Sequence, residues 1–379
     1  MKIGIVCYPT FGGSGVVATE LGKALAKKGH SIHFITYKRP ARLDFFSENI
    51  FFHEVNTSQY PLFEYSPYDS ALASKLVDVV LYEKLDLLHV HYAIPHASVA
   101  FLAKSILKTK GIELPIITTL HGTDITLVGN DPSFSPVVEF GINYSDGVTA
   151  VSNQLKQQTH EYFNVTNEIK VIYNFIDFSR FKKTNKSHFK LAIAPNGEKI
   201  ITHVSNFRKV KRIGDVIRVF EQVNKKINSK LFLIGDGPER QRMETLCREL
   251  DLCSDIRFMG KQQAVEDLLN ISDLFIIPSQ NESFGLSALE AMACEVPVIS
   301  SNAGGLPEVN IHGVTGFISE IGDVDDMAKN AINILTDTKL HEKLKKGAYE
   351  TSLNFHIDNI LPQYEDYYNQ IYKKVTQEA

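Results

Sequence analysis

Cysteine is scarce in this chain: 379 residues carry only Cys7, Cys247, Cys253 and Cys294. They show neither close-paired metal spacing nor a disulfide framework, which excludes a stapled secreted scaffold and fits a reducing cytoplasm. No run approaches the ~20 apolar residues needed to span a bilayer. The first apolar stretch, Ile3-Gly4-Ile5-Val6-Cys7 after Lys2, is too short for a secretory signal and reads as a buried strand. Charge of one sign is lacking as well. The formal net charge is -4, with acids and bases mixed along the chain, so no nucleic-acid footprint is present. What remains is an ordinary globular composition, 44% hydrophobic and 22% charged. The length exceeds one ordinary core and implies two or three domains.

Short β-rich runs alternate with helical patterns throughout, as in parallel sheets covered on both faces. Strands are predicted at residues 2–7, 31–36, 50–55, 87–91, 116–120 and 147–151, with helices such as 16–28 and 69–83 between them. A second set follows at residues 200–204, 231–234, 256–259, 274–277 and 296–300. Two doubly wound α/β domains are expected, residues 1–173 and 174–356, joined near Tyr173-Asn174-Phe175-Ile176-Asp177. Ile360, Leu361, Tyr364, Tyr367, Tyr368 and Ile371 recur at helical spacing, so a last helix within residues 357–379 is expected to return to the first domain. Ligands of open α/β sheets bind beyond the carboxyl ends of the strands. The segments at those ends are therefore the candidates.

The most informative segment is Glu282-Ser283-Phe284-Gly285-Leu286-Ser287-Ala288-Leu289-Glu290, two glutamates with seven residues between them. A helix starting near Ser283 leaves Glu282 in the preceding loop and carries Glu290 about two turns inside, some 12 Å along at ~1.5 Å per residue. The amides of Phe284, Gly285 and Leu286 then form an anion site at the positive end of the helix dipole. A diphosphate in the middle and hydroxyl-rich groups at either end fit this layout, which is that of a sugar nucleotide. The plainer reading, a helix-start acid and a solvated one, suits Glu290 poorly: among Ala288, Leu289, Ala291, Met292 and Ala293 a carboxylate is costly without partners.

Other segments add chemistry. Asn206-Phe207-Arg208-Lys209-Val210-Lys211-Arg212 offers four cations that could neutralise a departing diphosphate, with a solvated basic turn as the alternative. Phe11-Gly12-Gly13-Ser14-Gly15 lets backbone approach a phosphate. Gly13, Gly15 and Ala18 match a loose dinucleotide fingerprint, yet Thr36-Tyr37-Lys38-Arg39 replaces the ribose-binding acid, which argues against NAD. His121, in Thr118-Thr119-Leu120-His121-Gly122-Thr123-Asp124, is the functional candidate among the histidines. His89 and His91 share a strand face but, even with His96, lack the acidic or cysteine ligand of a familiar metal site. Gly235-Asp236-Gly237-Pro238-Glu239 and Gly304-Gly305-Leu306-Pro307-Glu308 read equally as tight turns or ligand contacts. Asp323-Val324-Asp325 precedes a helix at 324–335, so capping explains it and no metal is expected.

Together these residues resemble the retaining glycosyltransferases of the B-type fold (GT-B), family four, over essentially the whole chain. The paired glutamates, the Gly304-Gly305 turn, the early glycine loop and the Asn174 linker match in order. The resemblance implies two Rossmann-like domains facing across a cleft, acceptor on the first and nucleotide sugar on the second, with no cofactor. One departure is Asn206 where the family usually has Arg five residues before the Lys at 211; Arg208 is the cation available to replace it. Cys7-Tyr8-Pro9, His89-Val90-His91-Tyr92-Ala93-Ile94-Pro95-His96 and Thr119-Leu120-His121-Gly122-Thr123-Asp124-Ile125-Thr126 narrow the resemblance to members acting early in bacillithiol biosynthesis. Those transfer N-acetylglucosamine from UDP-N-acetylglucosamine (UDP-GlcNAc) to the hydroxyl of L-malate.

On that resemblance Glu290 receives ribose hydroxyls and Glu282 sugar hydroxyls, while Arg208, Lys211 and the amides of Phe284, Gly285 and Leu286 stabilise the β-phosphate. Gly13, Asn206 and Lys261 complete the donor site, and His121 positions the sugar. Ser14, Tyr92, Thr119 and Arg208 are the acceptor candidates. Neither nucleic acid nor membrane is expected as a partner, and a homo-oligomer is compatible with the chain. A same-fold transferase or epimerase with other substrates, or a non-catalytic UDP-sugar sensor, would keep the donor motifs.

Overall fold

The structure, a computed structural model, describes residues 1–10, 12–43, 46–57, 66–129 and 131–377. Phe11 of the glycine loop lies outside the described residues. The chain divides into two compact units, Met1–Asn174 with Ile357–Ala379, and Phe175–His356.

In the first unit, β-branched and leucine-rich runs form β1 (Lys2–Val6), β2 (Ser31–Thr36), β3 (Ile50–Glu54), β4 (Leu87–His91), β5 (Ile116–Leu120), β6 (Gly147–Ala150) and β7 (Ile169–Val171). They make one parallel sheet in the order β3-β2-β1-β4-β5-β6-β7. The winding direction reverses between β1 and β4, the position at whose carboxyl edge ligands of open α/β sheets bind. The helix after β1 is Gly13–Lys27, starting earlier than the periodicity predicts, so the glycine loop supplies its first turn.

The second unit repeats the plan with β8 (Lys199–Val204), β9 (Ser229–Ile234), β10 (Ile256–Gly260), β11 (Leu274–Ile277), β12 (Val298–Ser301) and β13 (Gly316–Ser319). Their order is β10-β9-β8-β11-β12-β13, which places the reversal between β8 and β11. Ile201, Leu231, Leu233, Ile276 and Ile299 from the sheet pack with Val216, Phe220, Met327 and Ile334 from covering helices. The strand predicted from residue 296 begins at Val298, because Val296 donates its N–H to Ala291 and Pro297 has none to give a ladder.

The last helix, Ile357–Gln377, belongs to the first unit. Its buried Tyr368 hydroxyl lies 2.7 Å from His89 Nδ1, whose Nε2 is 2.6 Å from the Thr119 hydroxyl. Thr119 in turn meets the Thr149 hydroxyl at 2.7 Å. Burial pushes the His89 imidazole down to about 3, so the ring is neutral at physiological pH. A neutral ring accepts from Tyr368 and donates to Thr119, which donates onward to Thr149, and every member of the chain is satisfied. No helix among the described residues is long and apolar enough to cross a membrane.

Replacing Tyr368 with Phe strips the donor from a buried imidazole and is expected to cost about 1–3 kcal/mol in urea unfolding. An unchanged unfolding free energy would show that the relay does not hold this helix.

Candidate active site

Because β8 and β11 are neighbours at the reversal, the loops that leave them meet. Gln280 donates its N–H to the Val210 carbonyl at 2.8 Å, and Lys211 Nζ lies 2.6 Å from Glu282 Oε2. The two side chains are 18% and 17% exposed, so the pair is largely withdrawn from water. The Ser279 hydroxyl donates to the same carboxylate oxygen at 3.3 Å. The pairing itself was outside the sequence reading, which gave the two residues separate ligands. Asn206 and Arg208 are exposed on the same loop, and among the described residues Arg208 enters no ion pair. Lys261 is exposed just after β10, two strands from β8, and stands apart from the pair.

Glycines set both loops by letting backbone approach backbone. A Cβ on Gly304 would lie 2.0 Å from the Glu282 carbonyl oxygen, and one on Gly305 2.4 Å from that of Ser283. The Gly305 N–H donates to the Glu282 carbonyl at 2.9 Å. Likewise a Cβ on Gly235 would fall 1.8 Å from the Ser205 carbonyl oxygen. Both glycine turns are thus packing devices that clamp the charged loops.

The helix after Glu282 differs from expectation. It runs Leu286–Ala293, entered through Gly285 at φ +102°, so its first-turn amides belong to Leu286, Ser287 and Ala288. Phe284 and Gly285 precede it, and the Phe284 ring is buried against Phe355 at 5.5 Å. Glu290 is consequently little more than one turn inside the helix, and it is buried at 8% exposure. Asp323 accepts from the Asp326 N–H at 2.9 Å and caps the helix Val324–Thr336.

In the first unit the reversal brings Ser14, at the start of its helix, to Tyr92 after β4: their hydroxyls are 2.7 Å apart. Tyr92 is held at φ +85°, a conformation costly for a bulky residue. A Cβ on Gly15 would sit 2.5 Å from the carbonyl oxygens of Tyr8 and Thr10, which is why glycine stands there. His121 follows β5 and contacts His91, Nε2 to Nδ1, at 2.8 Å. Burial, reinforced by His96, pushes His121 down to about 3, so it is a neutral hydrogen-bonding group at physiological pH. Thr119 must be removed from the acceptor candidates. It is fully buried and its hydroxyl is consumed between His89 and Thr149.

Asp124, which the sequence reading passed over, anchors this loop cluster. Its carboxylate accepts from the N–H groups of Ala93 at 2.9 Å, Gly122 at 2.9 Å and His121 at 3.2 Å. Burial raises its carboxyl from 3.8 to about 6, opposed by those same amides. A folded value above the unfolded one gives stability that is complete below pH about 4 and lost as pH rises through about 6, roughly 3 kcal/mol in all. The stability of wild type relative to Asp124→Asn is therefore expected to fall between pH 4 and 7 in urea melts. A pH-independent difference would contradict the assignment.

Known proteins place this geometry. The family described as Glycosyltransferase Family 4 matches residues 11–180, and that described as Glycosyl transferases group 1 matches residues 184–351. The chain is 48% identical over 373 residues to the N-acetyl-alpha-D-glucosaminyl L-malate synthase of Bacillus anthracis, covering 98% of this chain and 97% of that protein. Among solved structures, sucrose-phosphate synthase from Thermosynechococcus elongatus superimposes with a TM-score of 0.84 at 20% identity, over 98% of this chain and 99% of that one. Anabaena HepE in complex with UDP and glucose gives 0.82 at 21%, over 97% and 98%. These two carry the fold, and the Bacillus relative carries the family: the chain belongs to the family-four glycosyltransferases of GT-B fold and is a sugar-transferring enzyme.

Proposed function

We propose that the protein transfers N-acetylglucosamine from UDP-GlcNAc to the hydroxyl of L-malate with retention of configuration, the first step of bacillithiol biosynthesis, in the cytoplasm. The observation that carries this reading is the Lys211–Glu282 pair, 2.6 Å apart, in which Glu282 lies in the loop that leads into the helix Leu286–Ala293. The substrates follow from the Bacillus anthracis synthase, and a UDP leaving group accords with the HepE complex.

Glycosyl transfer breaks the bond between the anomeric carbon and a β-phosphate oxygen, and the electron pair leaves with the phosphate. Lys211, Arg208 and the amides of Leu286, Ser287 and Ala288 supply positive potential for that charge, a preorganised arrangement that needs no cofactor. Glu282 receives hydroxyls of the sugar and Glu290 those of the ribose. Glu282 also fixes Lys211 before substrate arrives, so little reorganisation remains at the moment of cleavage. Gly13, Asn206 and Lys261 are kept as donor contacts, with Lys261 at the uracil.

Retention follows from attack on the leaving-group face. The malate hydroxyl bonds to the anomeric carbon while its proton passes to the departing phosphate oxygen, so no enzymic base is required. A neutral His121 suits this chemistry as a positioning group for the sugar. Ser14 and Tyr92, their hydroxyls 2.7 Å apart, offer hydrogen bonds to malate.

Lys211→Ala and Glu282→Gln are each expected to lower kcat about a hundredfold or more with the circular dichroism unchanged. Ser14→Ala is expected to raise KM for malate while sparing KM for UDP-GlcNAc. Wild-type turnover in the first two variants would remove the proposed leaving-group site.

A further inference from the structure

The first unit holds a second group of chemistry-bearing side chains that shares no residue with the loops above. In the β2–β3 register His33 pairs with Phe51 and Ile35 with His53, so His33 and His53 project from one face of the sheet. His33 is 1% exposed, stacked on Phe51 with ring centroids 4.8 Å apart. Its Nδ1 lies 3.0 Å from His53 Nε2. Glu83, the last residue of the helix Tyr68–Glu83, brings a carboxylate oxygen so that the three ligand atoms all lie within 4.8 Å of one another.

We propose that His33, His53 and Glu83 bind one divalent transition-metal ion, with Zn²⁺ the best match to two imidazoles and a carboxylate. Two nitrogens each ~2.0–2.1 Å from a tetrahedral zinc are separated by roughly 3.3 Å, close to the spacing found. The outer partner of a metal-bound histidine is present too. Ser31 Oγ sits 3.1 Å from His33 Nε2, where it accepts that N–H and leaves the Nδ1 lone pair directed at His53. His53 and Glu83 are only half-buried, which gives the ion a path from solvent. The neighbouring charges are Lys2, which donates to the Glu83 carbonyl at 2.8 Å, and Lys75, paired with Asp78 at 3.2 Å. Neither cation takes the Glu83 carboxylate in an ion pair among the described residues. Three protein ligands leave one position for water, and the ion ties β2 and the sheet-edge strand β3 to the helix beside them.

The competing arrangement is a plain hydrogen bond, His53 Nε2–H to His33 Nδ1, in which Glu83 has no part. Untagged, chelator-stripped full-length protein titrated calorimetrically with Zn²⁺ separates the two. One ion per chain is expected, with Co²⁺ giving tetrahedral visible absorption and Zn²⁺ raising Tm. His53→Ala and the conservative Glu83→Gln should each weaken uptake at least tenfold and abolish the Tm rise, while sugar-transfer turnover stays at the wild-type level and reports an intact fold. No saturable uptake by wild type, or equal uptake by both variants, would overturn the site.

Discussion

The ion pair between Lys211 and Glu282 is the contact on which the catalytic reading rests. It exists because the sheet of the second unit reverses direction between β8 and β11, so two loops distant in sequence leave adjacent strands. Partial withdrawal from water strengthens the attraction and raises the cost of leaving either charge alone. Most of the surrounding detail serves to hold this pair. Gly304 and Gly305 clamp the backbone of Glu282, Ser279 fixes its carboxylate, and the Gln280–Val210 hydrogen bond ties one loop to the other.

The first unit uses the same topology for a different purpose. At its reversal hydroxyl groups rather than charges meet, Ser14 with Tyr92, and the histidines behind them are neutral through burial. Beneath the loops a relay from Tyr368 through His89 and Thr119 to Thr149 is closed on itself. This relay stitches the terminal helix to the central strands. It also explains why a threonine at a strand's carboxyl end is structural here. A fully buried hydroxyl that accepts from one neighbour and donates to another inside the core is a structural group.

Strands such as β2, β4, β5 and β11 were legible residue for residue, because a buried parallel strand is a continuous apolar run bounded by turn residues. β7 and β13 were not, since three or four residues at a sheet edge leave little pattern. The helix after Glu282 begins later than its sequence suggests because only Gly285 can take the left-handed entry, a backbone fact with no periodic signature. Glu282, Lys211 and Arg208 stood out as residue types at strand ends, yet the Lys211–Glu282 contact depends on which strands adjoin. Asp124 and the His33, His53 and Glu83 group were invisible for a related reason. Their partners are backbone amides or side chains on neighbouring elements, and no spacing rule records them.

The central claim is that a charge-neutralising pair at the β8–β11 reversal serves cleavage of a UDP-sugar in favour of a malate hydroxyl. Its most direct test is UDP release from UDP-GlcNAc by purified protein, with and without L-malate and without added metal, with product mass determined alongside. UDP formed only with malate, together with a glucosaminyl-malate product, is the result the account predicts. UDP-GlcNAc bound but left intact in the presence of malate would contradict it.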